Sequence, residues 1–163
     1  MIKLRLFNTS DTAMAYTIFA AERTQPWRFD TFEGSALNGR SLVAVKNEVV
    51  VGYSLLSSVL DEETLEDIAV LPAFRKQGVG RSLVEASVTQ AKKRGQKVIF
   101  LEVRQSNESA IAMYRSLGFE LIGERKNYYD AAPQVAEISY QQSKTNQKSS
   151  VGRENALIMK KVL

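Results

Sequence analysis

Residues 64–103 read TLEDIAVLPAFRKQGVGRSLVEASVTQAKKRGQKVIFLEV, and the order of signals along them sets the architecture. Thr64 to Val70 is a strand-like run stopped by Pro72, which has no N–H to give to a ladder. Val79, Leu83, Val84, Val88 and Ala91 recur at helical spacing between Gly78 and Arg94, and Gly95 supplies the stop. Lys97 to Val103 is an apolar run suited to a buried strand. Strand, helix and strand in that order make a parallel pair with a right-handed crossover.

The flanking sequence adds mostly antiparallel material. Residues 2–7 read as a strand, and Ser10 is placed to cap a helix from Asp11 to Arg23. Asp30 and Glu33 are spaced as a capping pair for a short helix ending near Gly39. Ser41 to Val45 and Val49 to Val59 form two strand-like runs about a turn at Lys46-Asn47-Glu48. Asp61-Glu62-Glu63 reads as the next turn. Beyond the central unit, Asn107 caps a helix to Leu117 that Gly118 stops. Phe119 to Tyr129 and Asn155 to Leu163 are the last long strands. Between them, Gln141 to Ser150 is almost wholly Gln, Ser, Lys, Asn and Thr, which cannot bury a core. A loop insertion is therefore expected over 131–152, with Ile138 and Tyr140 able to add a short strand edge.

At 163 residues the chain suits one globular domain. It has neither cysteine nor histidine, which removes disulfides, zinc clusters, a cysteine nucleophile and the usual general base. Proton transfer must use Asp, Glu, Tyr, Lys or a terminal amine. The net charge of +4 is spread along the chain without an aromatic-interleaved patch, so no direct nucleic-acid contact is expected. Met1 to Leu6 alternates charged and apolar residues, unlike a signal peptide, and no apolar run is long enough to span a bilayer. The expectation is a cytoplasmic protein with no membrane partner.

The sharpest local feature is Arg75-Lys76-Gln77-Gly78-Val79-Gly80-Arg81, between a strand and a helix. Glycines here let backbone N–H groups approach a ligand, and the helix start offers unpaired N–H groups with a positive dipole end. Such a turn suits a pyrophosphate, with Arg75, Lys76 and Arg81 adding charge. The residues alone also allow a plain tight turn with solvated cations. The Walker ending Gly-Lys-Ser/Thr is missing, and Leu83 fills the third glycine of a dinucleotide fingerprint.

Arg75-x-x-Gly78-x-Gly80, following Asp67-Ile68-Ala69-Val70, resembles the acyl-CoA pyrophosphate loop of the GNAT superfamily, Arg/Gln-x-x-Gly-x-Gly/Ala. The resemblance implies an α/β (α+β) GNAT fold. In that fold a mixed, mostly antiparallel sheet has a central splayed parallel pair and helices on both faces. It also implies acetyl-CoA as co-substrate and no metal. Pantetheine would lie on the backbone of Ile68, Ala69 and Val70, and pyrophosphate on Lys76, Gln77, Gly78, Val79, Gly80 and Arg81.

A second block, Leu101-Glu102-Val103-Arg104-Gln105-Ser106-Asn107 with Ala110-Ile111-Ala112-Met113-Tyr114-Arg115-Ser116-Leu117-Gly118-Phe119, is similar to that of RimI-type ribosomal-protein alanine N-acetyltransferases. Pro26-Trp27, Val59-Leu60-Asp61-Glu62 and Asn127-Tyr128-Tyr129 extend the likeness to most of the chain outside 131–152. It implies acetyl transfer to a protein N-terminus, with the N-terminal alanine of a small-subunit ribosomal protein as the expected acceptor. Glu102 would be the general base, Tyr114 the general acid, and Asn107 a contact to the CoA arm. Tyr128 and Tyr129 would line the peptide channel, and Trp27 would lie beside the substrate entrance.

The chemistry agrees with these roles. A protein α-amine titrates near 7.7–8.0 and is partly neutral at pH 7, whereas a lysine amine, near 10.4, is not. A carboxylate, directly or through water, can take the proton released on attack, and a phenol can return one to the leaving thiolate. In the fold that the resemblance implies, the Val70 N–H would polarise the thioester carbonyl.

Read as residues alone, each position keeps a second account. Glu102 suits a strand end facing solvent, Tyr114 core packing with Ala110 and Leu117, and Asn107 a helix cap. Tyr128 and Tyr129 suit strand packing, and Trp27 a core plug. The acids Asp61, Glu62, Glu63, Glu66 and Asp67 suit either attraction of a basic substrate or a solvated turn. The 131–152 segment is longer than the RimI pattern, which leaves acetyl-CoA binding untouched and the acceptor open. A GNAT enzyme acting on a lysine, a polyamine or a small-molecule amine is the alternative. A non-catalytic CoA-binding protein is the alternative of another class, against which Glu102 and Tyr114 argue. The oligomeric state is not legible.

Overall fold

The computed structural model describes residues 1–130 and 153–163; the loop expected over 131–152, with Ile138 and Tyr140, lies outside them. Two units are delineated, Met1–Phe100 with Val162–Leu163 and Leu101–Lys161. In chain order the elements are β1 (Lys3–Leu6), α1 (Thr12–Ala21), α2 (Phe29–Ala36), β2 (Leu42–Lys46), β3 (Val49–Val59), β4 (Glu62–Val70), α3 (Val79–Lys93), β5 (Val98–Arg104), α4 (Glu108–Ser116), β6 (Glu120–Asp130) and β7 (Arg153–Val162). The fold class is mixed α/β, mostly antiparallel with one parallel pair.

In the first unit the strands lie in the order β1-β2-β3-β4 and then the start of β5. The pairs β1/β2, β2/β3 and β3/β4 are antiparallel. β5 returns beside β4 through the α3 crossover, as parallel neighbours must. The β2–β3 turn uses Asn47 and Glu48, both at positive φ, the geometry that matches strand twist in a two-residue hairpin. Side chains alternate across this sheet. Val43, Val50, Tyr53 and Leu55 meet Phe19 of α1 and Phe32 of α2 in one cluster. Leu42, Ala44, Val51 and Val70 meet Val79 and Leu83 of α3 in another. Helices therefore cover both faces, and each fully buried leucine or phenylalanine is worth roughly 1.5–3 kcal/mol.

Three local expectations are corrected. The first helical segment is capped by Asn8, not Ser10. The Asn8 side chain accepts from the Ser10 N–H (2.9 Å), and Asp11 accepts from the Asn8 N–H (2.8 Å), closing a reciprocal box around a 3₁₀ turn, Thr9–Asp11, that leads into α1. α2 starts after Arg28 with no side-chain cap, and Asp30 sits inside its first turn. The acidic run is not a turn beyond Asp61, since β4 already begins at Glu62. Glu63 is fully buried between Arg40 (3.3 Å) and Arg94. Asp67 accepts from the Tyr53 hydroxyl and from Arg23, each at 2.6 Å. Burial first, and then the Asp67 charge, raises the Tyr53 phenol and keeps it protonated. These two acids are thus committed to internal partners.

In the second unit the order is β5-β7-β6, with β6 and β7 antiparallel and α4 joining β5 to β6. The Asn107 side chain caps α4 by accepting the Ala110 N–H at 3.2 Å. Gly118 ends it at φ +90°, where a Cβ would lie 2.6 Å from the Lys161 ammonium nitrogen.

Candidate active site

The first unit carries the anion-binding candidate. Lys76 (φ +59°) and Gly78 (φ +83°) take left-handed conformations in the turn before α3. No side chain caps this helix, and the Ser82 N–H closes on the Gly78 carbonyl at 3.0 Å. The N–H groups of Val79, Gly80 and Arg81 therefore precede the helical ladder. A Cβ at Gly78 would meet nothing within 4 Å, so the turn is open on that side. Uncapped N–H groups, a positive helix end and the exposed Lys76 are the donor set that a diphosphate needs, so these residues fit the CoA pyrophosphate.

The motif's arginine is spent on building the turn. Arg75 Nε donates to the Val70 carbonyl (2.9 Å), and a guanidinium nitrogen pairs with Glu22 (2.5 Å). Gln77 Nε2 donates to the Ala73 carbonyl (3.2 Å), and Arg81 pairs with Glu85 one turn along α3 (3.0 Å).

β4 delivers its backbone by alternation. The Leu71 N–H donates to the Val51 carbonyl at 2.8 Å. With Gly52 opposite Val70 and Ser54 opposite Ile68, both residues fall at non-hydrogen-bonded positions toward β3. Their N–H and C=O groups face the other edge of β4. Ala69 turns its side chain to the α1–α2 cluster. A bulge follows, because Asp67 pairs with Leu55 and Leu65 with Leu56, leaving Glu66 as the extra residue. Trp27 lies against Phe19 (ring centroids 5.1 Å) and is 40% exposed, so it is only partly a core plug. Its carbonyl accepts the Tyr16 hydroxyl at 2.6 Å.

The second unit carries the proton-transfer candidates. β5 alternates buried Leu101 and Val103 with half-buried Glu102 and Arg104. The Glu102 carboxylate is 26% exposed and ion-paired with Arg125 of β6 at 3.1 Å, a partner that sequence reasoning missed. The Arg125 guanidinium lies 5.1 Å from the Tyr128 ring. Tyr114 is buried at 4% exposure, edge-on to Phe119 with ring centroids 5.7 Å apart. Asn107 caps its helix and is exposed. Tyr129 pairs by backbone with Glu154 of β7. Glu154 in turn holds the β5–α4 loop, accepting from Arg104 (3.1 Å) and the Ser106 N–H (3.2 Å). Burial raises the Glu154 carboxyl, but hydrogen bonds from Ser106 and Arg104 outweigh it and hold the group below its ordinary value.

Among the described residues no group of three or more Asp or Glu is placed to hold a metal ion. Among the same residues no helix is long and apolar enough to cross a membrane.

A sequence model of the acetyltransferase (GNAT) family matches residues 7–119. The chain is 38% identical over 122 residues to the [ribosomal protein bS18]-alanine N-acetyltransferase of Escherichia coli, covering 74% of this chain and 82% of that one. The crystal structure of the ribosomal-protein-S18-alanine N-acetyltransferase from Escherichia coli superposes with a TM-score of 0.81 at 34% identity, over 99% of this chain and 94% of that one. A GNAT family acetyltransferase from Elizabethkingia anophelis with acetyl-CoA bound shares the fold at a TM-score of 0.73 and 16% identity, over 99% and 98% of the two chains. The chain belongs to the acetyltransferase (GNAT) family.

Proposed function

We propose that this chain, acting in the cytoplasm, transfers an acetyl group from acetyl-CoA to the N-terminal α-amine of a ribosomal protein, at an N-terminal alanine. The observation that carries the reading is the intact block from Leu101 to Phe119. It is a β5 strand bearing a half-buried Glu102 and an Asn-capped α4 bearing a buried Tyr114, in a chain 38% identical to a bS18-alanine N-acetyltransferase.

Acetyl-CoA supplies an acyl thioester. The turn at Lys76 to Arg81 binds the diphosphate with backbone N–H groups and positive charge. Ile68 and Val70 offer backbone groups on the edge of β4 away from β3, and the Val70 N–H serves the thioester carbonyl oxygen. Arg75 fixes the turn to the Val70 carbonyl, so the two binding elements move as one. The amine nitrogen forms the new N–C bond as the C–S bond breaks. Glu102 takes the proton that the amine sheds, and Tyr114 gives a proton to the departing thiolate. Asn107 contributes to the CoA arm, while Tyr128, Tyr129 and Trp27 serve the acceptor peptide.

The test uses unacetylated full-length bS18 with acetyl-CoA and the purified enzyme, read by intact and fragment mass spectrometry. One acetyl group on the N-terminal alanine supports the reading. No transfer, or transfer to lysines alone, overturns it.

A further inference from the structure

Arg125 reaches Glu102 from two strands away. It lies on β6 opposite Ala156 of β7, and β7 separates β6 from β5. Adjacent strands lie about 4.8 Å apart, so the side chain must cross one whole strand before it meets the carboxylate. Directly opposed residues share a face, so Arg125 passes on the side where the intervening strand offers only the methyl group of Ala156.

The backbone is shaped to hold the arginine there. In an unbroken strand, residues 125 and 128 point to opposite faces. Here Arg125 pairs with Ala156 and Tyr129 with Glu154, so residues 126–128 stand against Asn155 alone. This bulge, with Asn127 at φ +54°, undoes the alternation and brings the Tyr128 ring to the Arg125 guanidinium. Asn155 holds the bulge by accepting the Asn127 N–H (2.9 Å) and donating to Glu124 (2.6 Å). The Asn155 backbone carbonyl accepts the Gln105 N–H (3.0 Å), which ties the bulge to the end of the strand that bears Glu102.

We propose that Arg125 is a positioning residue for acetyl transfer: stacked on Tyr128 and passing over Ala156, it holds Oε1 of Glu102 so that the carboxylate keeps one orientation for the acceptor's proton. The proposal rests on Glu102 being the base. Arg125 acts through Glu102 and not on the substrate.

The test is a double-mutant cycle on the full chain with acetyl-CoA and an alanine-first peptide. R125Q, E102Q and the double variant are compared with wild type, with acetyl-CoA affinity measured by calorimetry for each. R125Q is expected to lower kcat roughly tenfold to a hundredfold, with peptide KM and acetyl-CoA affinity nearly unchanged. R125K, which keeps the charge but not the planar group stacked on Tyr128, is expected to recover only part of that loss. In the E102Q background, R125Q is expected to cost nothing further. An R125Q enzyme as fast as wild type, or one that loses the same factor whether or not Glu102 is present, overturns the proposal. If E102Q itself keeps full activity, the assignment of the base fails instead, and the two failures are told apart by that single variant.

Discussion

Replacing Gly78 by alanine separates backbone conformation from steric blocking in the turn before α3. Gly78 sits at φ +83°, ψ 6°, and a Cβ there would meet no atom within 4 Å. The cost of alanine is therefore conformational alone, about 1–2 kcal/mol for a left-handed non-glycine residue. If the turn keeps its shape, the cost falls on stability. At 2–4 °C per kcal/mol for a chain of this size, Tm drops by roughly 2–8 °C. If the turn relaxes, the N–H groups turn away from the diphosphate, and CoA affinity falls by roughly five- to thirtyfold. Gly80 is the internal control. It lies inside α3, where a Cβ would meet Val70 at an ordinary 3.9 Å. Gly80→Ala should gain up to about 1 kcal/mol of helix propensity and leave CoA affinity within about threefold. The assay is thermal unfolding without ligand, followed by calorimetric titration with CoA. An alanine at 78 that changes neither Tm nor affinity rules out a conformational role for Gly78 in the turn, as does one at 80 that harms binding more than the alanine at 78.

Three further outcomes are expected. Glu102→Gln and Tyr114→Phe should each lower kcat about a hundredfold or more while calorimetric acetyl-CoA affinity stays within a few-fold; near-normal turnover by either variant removes its assigned role. Glu63→Ala should cost about 3 kcal/mol, seen as a Tm lower by roughly 6–12 °C in circular dichroism, because it strands two partly buried arginines. Acid should destabilise the fold through Asp11 and Glu154. Burial raises both carboxyls, but hydrogen bonds from Arg5 and the Asn8 N–H at Asp11, and from Ser106 and Arg104 at Glu154, outweigh it and hold both below their ordinary values. A depressed folded value means that the stabilisation is complete above the unfolded values, near 3.8 and 4.5, and is lost as pH falls through the folded ones. Urea midpoints should thus be flat above about pH 5 and fall below it, with the fall reduced in Glu154→Gln; a fall starting near neutrality contradicts the assignment.

The strand–helix–strand unit was legible because its signals are local. Pro72, the spacing from Val79 to Ala91, and Gly95 mark the ends of α3 without help from tertiary contacts. Asn107 and Gly118 do the same for α4. Ser10 and Asn8 are both good caps, and what favours Asn8 is its three-residue spacing to Asp11, the two ends of a capping box. In the sequence Glu63 reads as part of an acidic turn because its partners, Arg40 and Arg94, are distant along the chain and reach it only through folding. Arg125 carried no signal for the same reason. It meets Glu102 across β7, a strand that comes later in the chain than either, and through a bulge that no turn residue announces except Asn127. Motif reading finds groups that act where the motif stands, and it misses groups brought to the motif by strand order.

One competition experiment separates the possible acceptors. The enzyme, acetyl-CoA and an equimolar mixture are incubated together and read by mass spectrometry. The mixture holds peptides with free N-terminal Ala, Ser or Met, the same sequences blocked at the N-terminus but containing lysine, and spermidine. Acetylation of free N-termini led by alanine is expected, with the blocked peptides and spermidine unmodified. Acetyl groups only on lysine side chains or on spermidine contradict it, and leave the family and the fold standing with a different acceptor.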